Sequence, residues 1–156
     1  MSNRKKLIII AHAPSDNTRK MAEAVVKGAT NPEITGVEVQ CKAPLETQPD
    51  DIISAHALII GTTENLGYMA GLVKDVFDRC YYPCLDKTQG LPFAFYVRAG
   101  HDGTGTQRAI ESVATGLRWR IVQEPLICRG DFQQTFISQC EDLGLSMAAS
   151  LDAGII

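Results

Sequence analysis

Unbroken apolar runs alternate along the chain with segments whose apolar residues recur every three or four positions. Leu7-Ile8-Ile9-Ile10-Ala11, Ala57-Leu58-Ile59-Ile60-Gly61 and Phe93-Ala94-Phe95-Tyr96-Val97 contain no polar side chain with a formal charge, the pattern of strands covered on both faces. Val37-Glu38-Val39-Gln40-Cys41 alternates instead and reads as an edge strand with one wetter face. A fifth, uninterrupted strand is expected over Arg120–Cys128, where Pro125 also favours an edge. Between the strands, Met21, Ala22, Val25 and Ala29 form one helical stripe. Leu72, Val73, Val76, Phe77 and Cys80 form a second, and Ala109, Ile110, Val113, Ala114 and Leu117 a third. Phe136, Cys140, Leu143, Met147 and Leu151 carry the last helix almost to the end, and a short helix is expected around Asp50–Ser54. Strand–helix repeats of this kind imply right-handed crossovers and a parallel sheet, hence an α/β class. With no linker, repeat or low-complexity tract, residues 1–156 are expected to be one domain.

The 156 residues are 45% hydrophobic and 21% charged, with a net charge of −3, the balance of a globular chain with a sizeable core. No basic face is implied, so neither nucleic acid nor an anionic membrane is an expected partner. A small molecule is. No stretch reaches the roughly 20 apolar residues of a membrane span, and the polar, basic start does not read as a signal peptide. Five cysteines, an odd number lying mostly in apolar segments, are expected to be reduced thiols of a cytoplasmic protein.

Ligands of open parallel sheets bind beyond the carboxyl ends of the strands, which directs attention to three loops. The first, Ala11-His12-Ala13-Pro14-Ser15-Asp16-Asn17-Thr18, places hydroxyl, carboxylate and amide groups at a helix start. Such a cluster either caps the helix or helps its unpartnered N–H groups hold a phosphate. It lacks the G-x-x-x-x-G-K-[ST] pattern of a nucleoside-triphosphate loop. The second loop runs from Gly61 to Gly71, and the third, Arg98–Thr106, carries three glycines before another helix. Response-regulator chemistry is excluded by Ala11-His12 and Gly61-Thr62, which stand where acidic residues would be needed. A tyrosine phosphatase of low molecular weight would need a cysteine in the first loop, and there is none. Cys80 and Cys84 lack the two-residue spacing of zinc or thioredoxin-like motifs and read as core or interface residues.

Ala13-Pro14-Ser15-Asp16-Asn17-Thr18 resembles the flavodoxin phosphate loop, T-x-T-G-x-T, which wraps the phosphate of FMN. Ser15, Asn17 and Thr18 match in kind, while Ala13 replaces a hydroxyl residue and Asp16 the glycine. Gly67 and Gly71 around Met69, followed by Leu72-Val73-Lys74-Asp75-Val76-Phe77-Asp78, resemble the flavin-edge loop of tryptophan-repressor-binding-protein-like quinone reductases. The third loop is similar to the glycine-rich loop facing the pyrimidine end of the flavin in the same families.

The resemblance implies a three-layer α/β/α flavodoxin-like fold with a five-stranded parallel sheet of order 2-1-3-4-5, without the insertion of long-chain flavodoxins. It implies that His12, Ala13, Pro14, Ser15, Asp16, Asn17 and Thr18 surround the phosphate of FMN. Thr63, Glu64, Asn65, Leu66 and Gly67 would contact the ring, with Tyr68 as a neighbour. Ala99, Gly100, His101, Asp102, Gly103 and Thr104 would face its other end. NADH or NADPH is the implied electron donor, and a quinone or flavin the small-molecule redox substrate; a non-enzymatic electron carrier or regulatory FMN protein is the alternative. No catalytic side chain and no metal ligand is identified, and a homodimer or homotetramer is an open expectation. Trp119 is assigned to the core. The Arg79–Pro83 segment is expected at a dimer interface or in the wall of the flavin pocket.

Overall fold

The computed structural model describes residues 3–156. Its strands are β1 (Lys5–Ala11), β2 (Val37–Lys42), β3 (Ala57–Asn65), β4 (Tyr68–Met69), β5 (Pro92–Ala99), β6 (Arg120–Ile121) and β7 (Leu126–Arg129). The helices are α1 (Asp16–Ala29), α2 (Pro49–Ile53), α3 (Gly71–Cys84), α4 (Thr104–Gly116) and α5 (Gln134–Asp152). The sheet runs β2-β1-β3-β5, and β6 and β7 both pair with the outer edge of β5. All these pairings are parallel; only β4, folded back on the end of β3, is antiparallel.

The unbroken apolar runs are explained by two cores. Ile8, Ile10, Leu58, Ile60, Phe93 and Phe95 face α3 and α4, whereas Leu7, Ile9, Ile59, Ala94 and Tyr96 face α1 and α5. Successive strand residues point to opposite faces, so an inner strand covered on both sides must be apolar at every position. The order and the three layers agree with the expectation, and the short helix lies one residue from its expected place.

Three local features differ. The fifth strand is split: Val122 still donates its N–H to the Phe93 carbonyl at 3.0 Å, but pairing then lapses until Leu126. Pro125 has no N–H to offer a ladder. The segment expected as a loop after Gly61 instead continues as strand to Asn65 and turns through Leu66 (φ 52) and Gly67 (φ 76) into β4. Left-handed geometry at both central residues is that of a tight hairpin. Finally, α3 runs back along the sheet, so Tyr81 packs against Gly116, the last residue of α4. Tyr81 and Tyr82 therefore lie at the opposite end from the loops and cannot wall the expected flavin pocket.

Trp119 is buried, packs at a tilt against Phe77 and Phe93, and donates its indole N–H to Thr88 Oγ1 at 2.8 Å. The five cysteines are free thiols, and only Cys41 is exposed. Burial pushes the Cys84 thiol up to about 11. Of the five thiols, one is expected to react with a disulfide reagent at pH 8 in the native protein, and all after unfolding in guanidinium. Two or more fast native thiols would contradict this packing.

Candidate functional site

The three loops meet at the carboxyl end of the sheet. Loop 1 (residues 12–15) is held to β3 through the His12 N–H, which donates to the Gly61 carbonyl at 2.9 Å. Ser15 is the N-cap of α1, and Thr18 is the third helical residue. Thr18 N–H donates to Ser15 Oγ at 3.2 Å, and Ser15 N–H donates to Thr18 Oγ1 at 2.9 Å. This reciprocal box satisfies two of the N–H groups a helix start leaves open. Asp16, the departure from the glycine of the flavodoxin pattern, turns its carboxylate onto Arg19. Its negative charge is thus neutralised beside the helix start. Ala13 is half-buried, and Pro14, Asp16 and Asn17 are exposed. His12 is also half-buried, and burial holds its imidazole below the ordinary histidine range.

Loops 2 (residues 62–68) and 3 (residues 99–104) are joined by one side chain. Glu64 accepts from the His101 N–H through Oε1 and from the Gly103 N–H through Oε2, both at 2.8 Å. One donor is Gly103, the N-cap of α4, which has no side chain of its own to supply an anion, and the other lies two residues before it. Asp102 Oδ1 accepts from the Thr104 N–H at 3.0 Å. That bond holds the Asp102 carboxyl below the usual carboxylate range. Arg129, at the end of β7, donates from Nε to the Asp102 carbonyl at 2.6 Å. In loop 2, Thr63 Oγ1 donates to Asn65 Oδ1 at 2.7 Å, and Thr62 Oγ1 accepts from the Ala70 N–H at 3.1 Å. Leu66 at the hairpin tip is fully exposed, Tyr68 is 41% exposed, and His101 is exposed.

The loop 3 glycines divide by role. Gly103 (φ 70) is left-handed, and a Cβ there would stand 2.6 Å from Ile127 Cγ2. Gly105 lets α4 approach the carbonyl of Gly67. Gly100 and Gly67 border open space, with nothing within 4 Å of an added Cβ. Both the left-handed turn and the close helix approach are packing requirements of the chain itself. Ala99 is buried beneath the loop.

Glu64, expected beside the ring, joins the two loops through its carboxylate. One participant escaped the sequence. Arg129 was not singled out, because its place beside loop 3 depends on the register Ala99↔Arg129 beyond the break in the fifth strand. The signal for Glu64 was its lone acidic character between threonine and asparagine at a strand end. Nothing local marks its partners, 37 and 39 residues away.

No protein-family model matches the chain. A flavodoxin of Aquifex aeolicus is 30% identical over 112 residues, 72% of this chain, and the chain spans 60% of that relative's length. A flavodoxin from the domain Archaea superposes with a TM-score of 0.79 over 94% of this chain and 98% of its own, at 20% identity. This chain has the flavodoxin fold. A WrbA-like flavodoxin from Agrobacterium tumefaciens shares that fold at a TM-score of 0.69, covering 97% of this chain and 98% of its own at 14% identity. Within the flavodoxin fold, loop 1 has the residue types a phosphate needs: a capped helix start, two hydroxyls and an acid already paired. Among the described residues, no helix is long and apolar enough to cross a membrane.

Proposed function

We propose that the chain binds FMN and serves in electron transfer. One observation carries the reading. Loops 1 and 3 each lead into a helix, and the N–H groups of loop 3 and of the first residue of α4 are already held by the chain's own carboxylates, Glu64 and Asp102. The start of α1 is capped by hydroxyls alone, with Asp16 turned onto Arg19. Of these two helix starts, the one at loop 1 is the more favourable for an incoming phosphate, such as that of a mononucleotide. Ser15, Asn17 and Thr18 would hold the phosphate together with the N–H groups of the first turn. Thr63, Asn65, Leu66, Gly67, Tyr68, Gly100 and His101 would border the ring. Glu64, Asp102 and Gly103 would act one layer back by fixing loop 3. The names of the Aquifex and archaeal flavodoxins support the same cofactor. FMN, when bound, supplies hydride and one-electron chemistry; the chain's residues position it and exclude water from one side.

One feature favours an NAD(P)H-dependent reductase over a carrier. Loop 3 carries no aromatic side chain, and Tyr68 is the one aromatic residue of loop 2. A ring seated there would keep a face open to a nicotinamide and then to a quinone or flavin acceptor. Anaerobic addition of NADPH, then NADH, to the FMN-loaded protein tests this: bleaching within seconds supports the reductase, and a persistent oxidised spectrum with both donors supports the carrier.

The cofactor itself is tested by titration with FMN and riboflavin. Thr18→Ala is expected to weaken FMN about tenfold, or ~1.4 kcal/mol, with riboflavin changing less than about twofold. Thr18→Ser, which keeps the hydroxyl, should stay close to the parent. Equal loss of both ligands would remove Thr18 from the phosphate, and absence of FMN binding by the parent chain would overturn the reading.

A further inference from the structure

The amino ends of the strands lie at the opposite end of the sheet from the three loops. Along β5, Pro92–Ala99, the two ends are roughly 23 Å apart. The ladder between β3 and β5 begins at Leu58↔Phe93, and Pro92 has no N–H with which to extend it. Below that first rung, the segments leading into the two strands border a cavity of about 210 Å³. Ile53, Leu91 and Pro92 give it an apolar wall, and His56, Lys87 and Gln89 a polar rim. Leu91 and Pro92 are buried, while the three rim residues are exposed. No carboxylate lines the cavity. Drug-sized pockets run to roughly 300–1,000 Å³, so the fitting occupant is smaller.

Hydrogen bonds hold both walls. Thr88 is buried; its Oγ1 donates to the Cys84 carbonyl at 3.0 Å and accepts the Trp119 indole N–H at 2.8 Å. The Lys87 and Thr88 N–H groups donate to the same Cys84 carbonyl at 3.0 and 3.1 Å, and the Gly90 N–H donates to the Arg118 carbonyl at 2.7 Å. On the facing wall, the His56 N–H donates to the Lys6 carbonyl at 2.8 Å, and the Lys6 N–H donates to His56 Nδ1 at 2.9 Å. Because Nδ1 accepts, the imidazole carries its N–H at Nε2.

Charge around the cavity favours an anion. Among the described residues, Lys87 forms no ion pair. The acids closest along the chain to Ile53 and Lys87 are engaged elsewhere: Asp51 accepts from Lys42 Nζ at 2.9 Å, and Asp86 faces Arg118 at 3.9 Å. Arg4, Lys6 and Arg120 stand at or beside strand starts at this same end, in a chain of net charge −3. One ammonium and one imidazole N–H match a single negative charge. A second charge would be left without a partner beside apolar groups, which is costly, and a bare inorganic ion would leave the apolar wall unused. We propose that this cavity binds a small organic carboxylate, with its carbon part against Ile53, Leu91 and Pro92 and its oxygens accepting from Lys87 Nζ and His56 Nε2. The site lies away from the flavin loops and does not rest on the FMN reading.

Benzoate, its neutral counterpart benzamide and inorganic phosphate are suitable probes at constant ionic strength, followed by amide and indole chemical shifts of the labelled protein. Benzoate should saturate, moving the amides of His56 and residues 88–91 and the Trp119 indole N–H, and leaving residues 15–18 and 100–104 in place. Benzamide, without the charge, and phosphate, without the carbon part, should each bind at least about fivefold more weakly. Lys87→Met keeps the carbon stem at an exposed position that makes no ion pair, so the fold should be unaffected. It should weaken benzoate about tenfold and change benzamide less than about twofold. Lys87→Arg, which keeps the charge, should retain most of the affinity. Saturating FMN should not displace benzoate. Benzoate binding in a protein that takes no FMN would sustain this site while removing the proposed cofactor. The site is overturned by unsaturable shifts, by shifts centred on the three loops, by equal binding of benzamide, by tighter binding of phosphate, by displacement with FMN, or by unchanged benzoate binding in Lys87→Met.

Discussion

Alanine at Gly105 is expected to destabilise the protein by about 2 kcal/mol and to loosen loop 3, although alanine is the better helix former. Helix propensity alone favours the exchange by about 1 kcal/mol. The new Cβ, however, would fall on the Gly67 carbonyl oxygen, with the Gly67 carbonyl carbon at 3.2 Å. These are backbone atoms of a turn held by the pairs Glu64↔Met69 and Asn65↔Tyr68, so no side-chain rotation relieves the overlap. Lifting the hairpin would draw Glu64 away from the His101 and Gly103 N–H groups. Overpacking costs about 1–3 kcal/mol, and charge-assisted hydrogen bonds contribute about 1.5–3 kcal/mol each, of which solvent at this half-exposed position returns a large part. The net loss should lower the melting temperature by roughly 4–8 °C for a domain of this size. Calorimetry checks the stability, and amide exchange at His101 and Gly103 checks the mechanism. Exchange should accelerate there and not in β1 or β3. Combined with Glu64→Gln, the loss should fall short of the sum, since both changes spend the same contact. A Gly105→Ala protein as stable as the parent would show that the hairpin rides freely above α4.

This contact also marks where sequence reading stops. Leu7–Ala11, Ala57–Gly61 and Phe93–Val97 revealed their burial because an inner strand of a three-layer sheet must be apolar on both faces, a local requirement written in consecutive residues. Thr63-Glu64-Asn65 gave the opposite impression. These residues continue β3 beyond the edge of the helical layers, where polarity no longer signals a loop. The left-handed Leu66 was equally opaque, since leucine has no preference for that geometry. Loop 3 was legible as a site loop but not in its details: its glycine spacing invited a ligand, whereas Gly103 and Gly105 answer to Ile127 and Gly67. At loop 1, capping and phosphate binding were competing readings of Ser15 and Thr18. The structure shows the capping box, and the same box leaves the start of α1 capped by hydroxyls, whereas loop 3 and the start of α4 hold carboxylates.

A larger loss is expected from Gly144→Ala, at the crossing of α1 and α5. The two helices touch backbone to backbone through a reciprocal pair of glycines. A Cβ on Gly144 would fall on the Val25 carbonyl oxygen and stand 3.0 Å from the Ala29 nitrogen. One on Gly28 would fall on the Glu141 carbonyl oxygen and stand 2.8 Å from the Leu145 nitrogen. Either methyl group must push apart two helices whose inner faces, with Met21, Val25, Met147 and Leu151, cover one side of the sheet. Separation would open space throughout that layer, adding a cavity cost to the overlap. Against the roughly 1 kcal/mol that alanine gains by propensity, a net loss of about 3 kcal/mol is expected, seen as a lowered denaturant midpoint with an unchanged slope. Gly28→Ala should cost a similar amount, and the pair less than the sum, because one displacement relieves both overlaps. The two glycine sites should separate in function. Gly28 is twelve residues past Asp16, roughly 18 Å along the helix axis, so the capped start of α1 should survive Gly144→Ala. Below the unfolding transition, FMN affinity should then stay within about twofold of the parent, whereas Gly105→Ala should weaken the ring contacts and so reduce FMN and riboflavin alike. Equal loss of FMN affinity in both variants would mean that the two ends of the helical layer move as one body, and that the flavin loops are not held locally by Glu64.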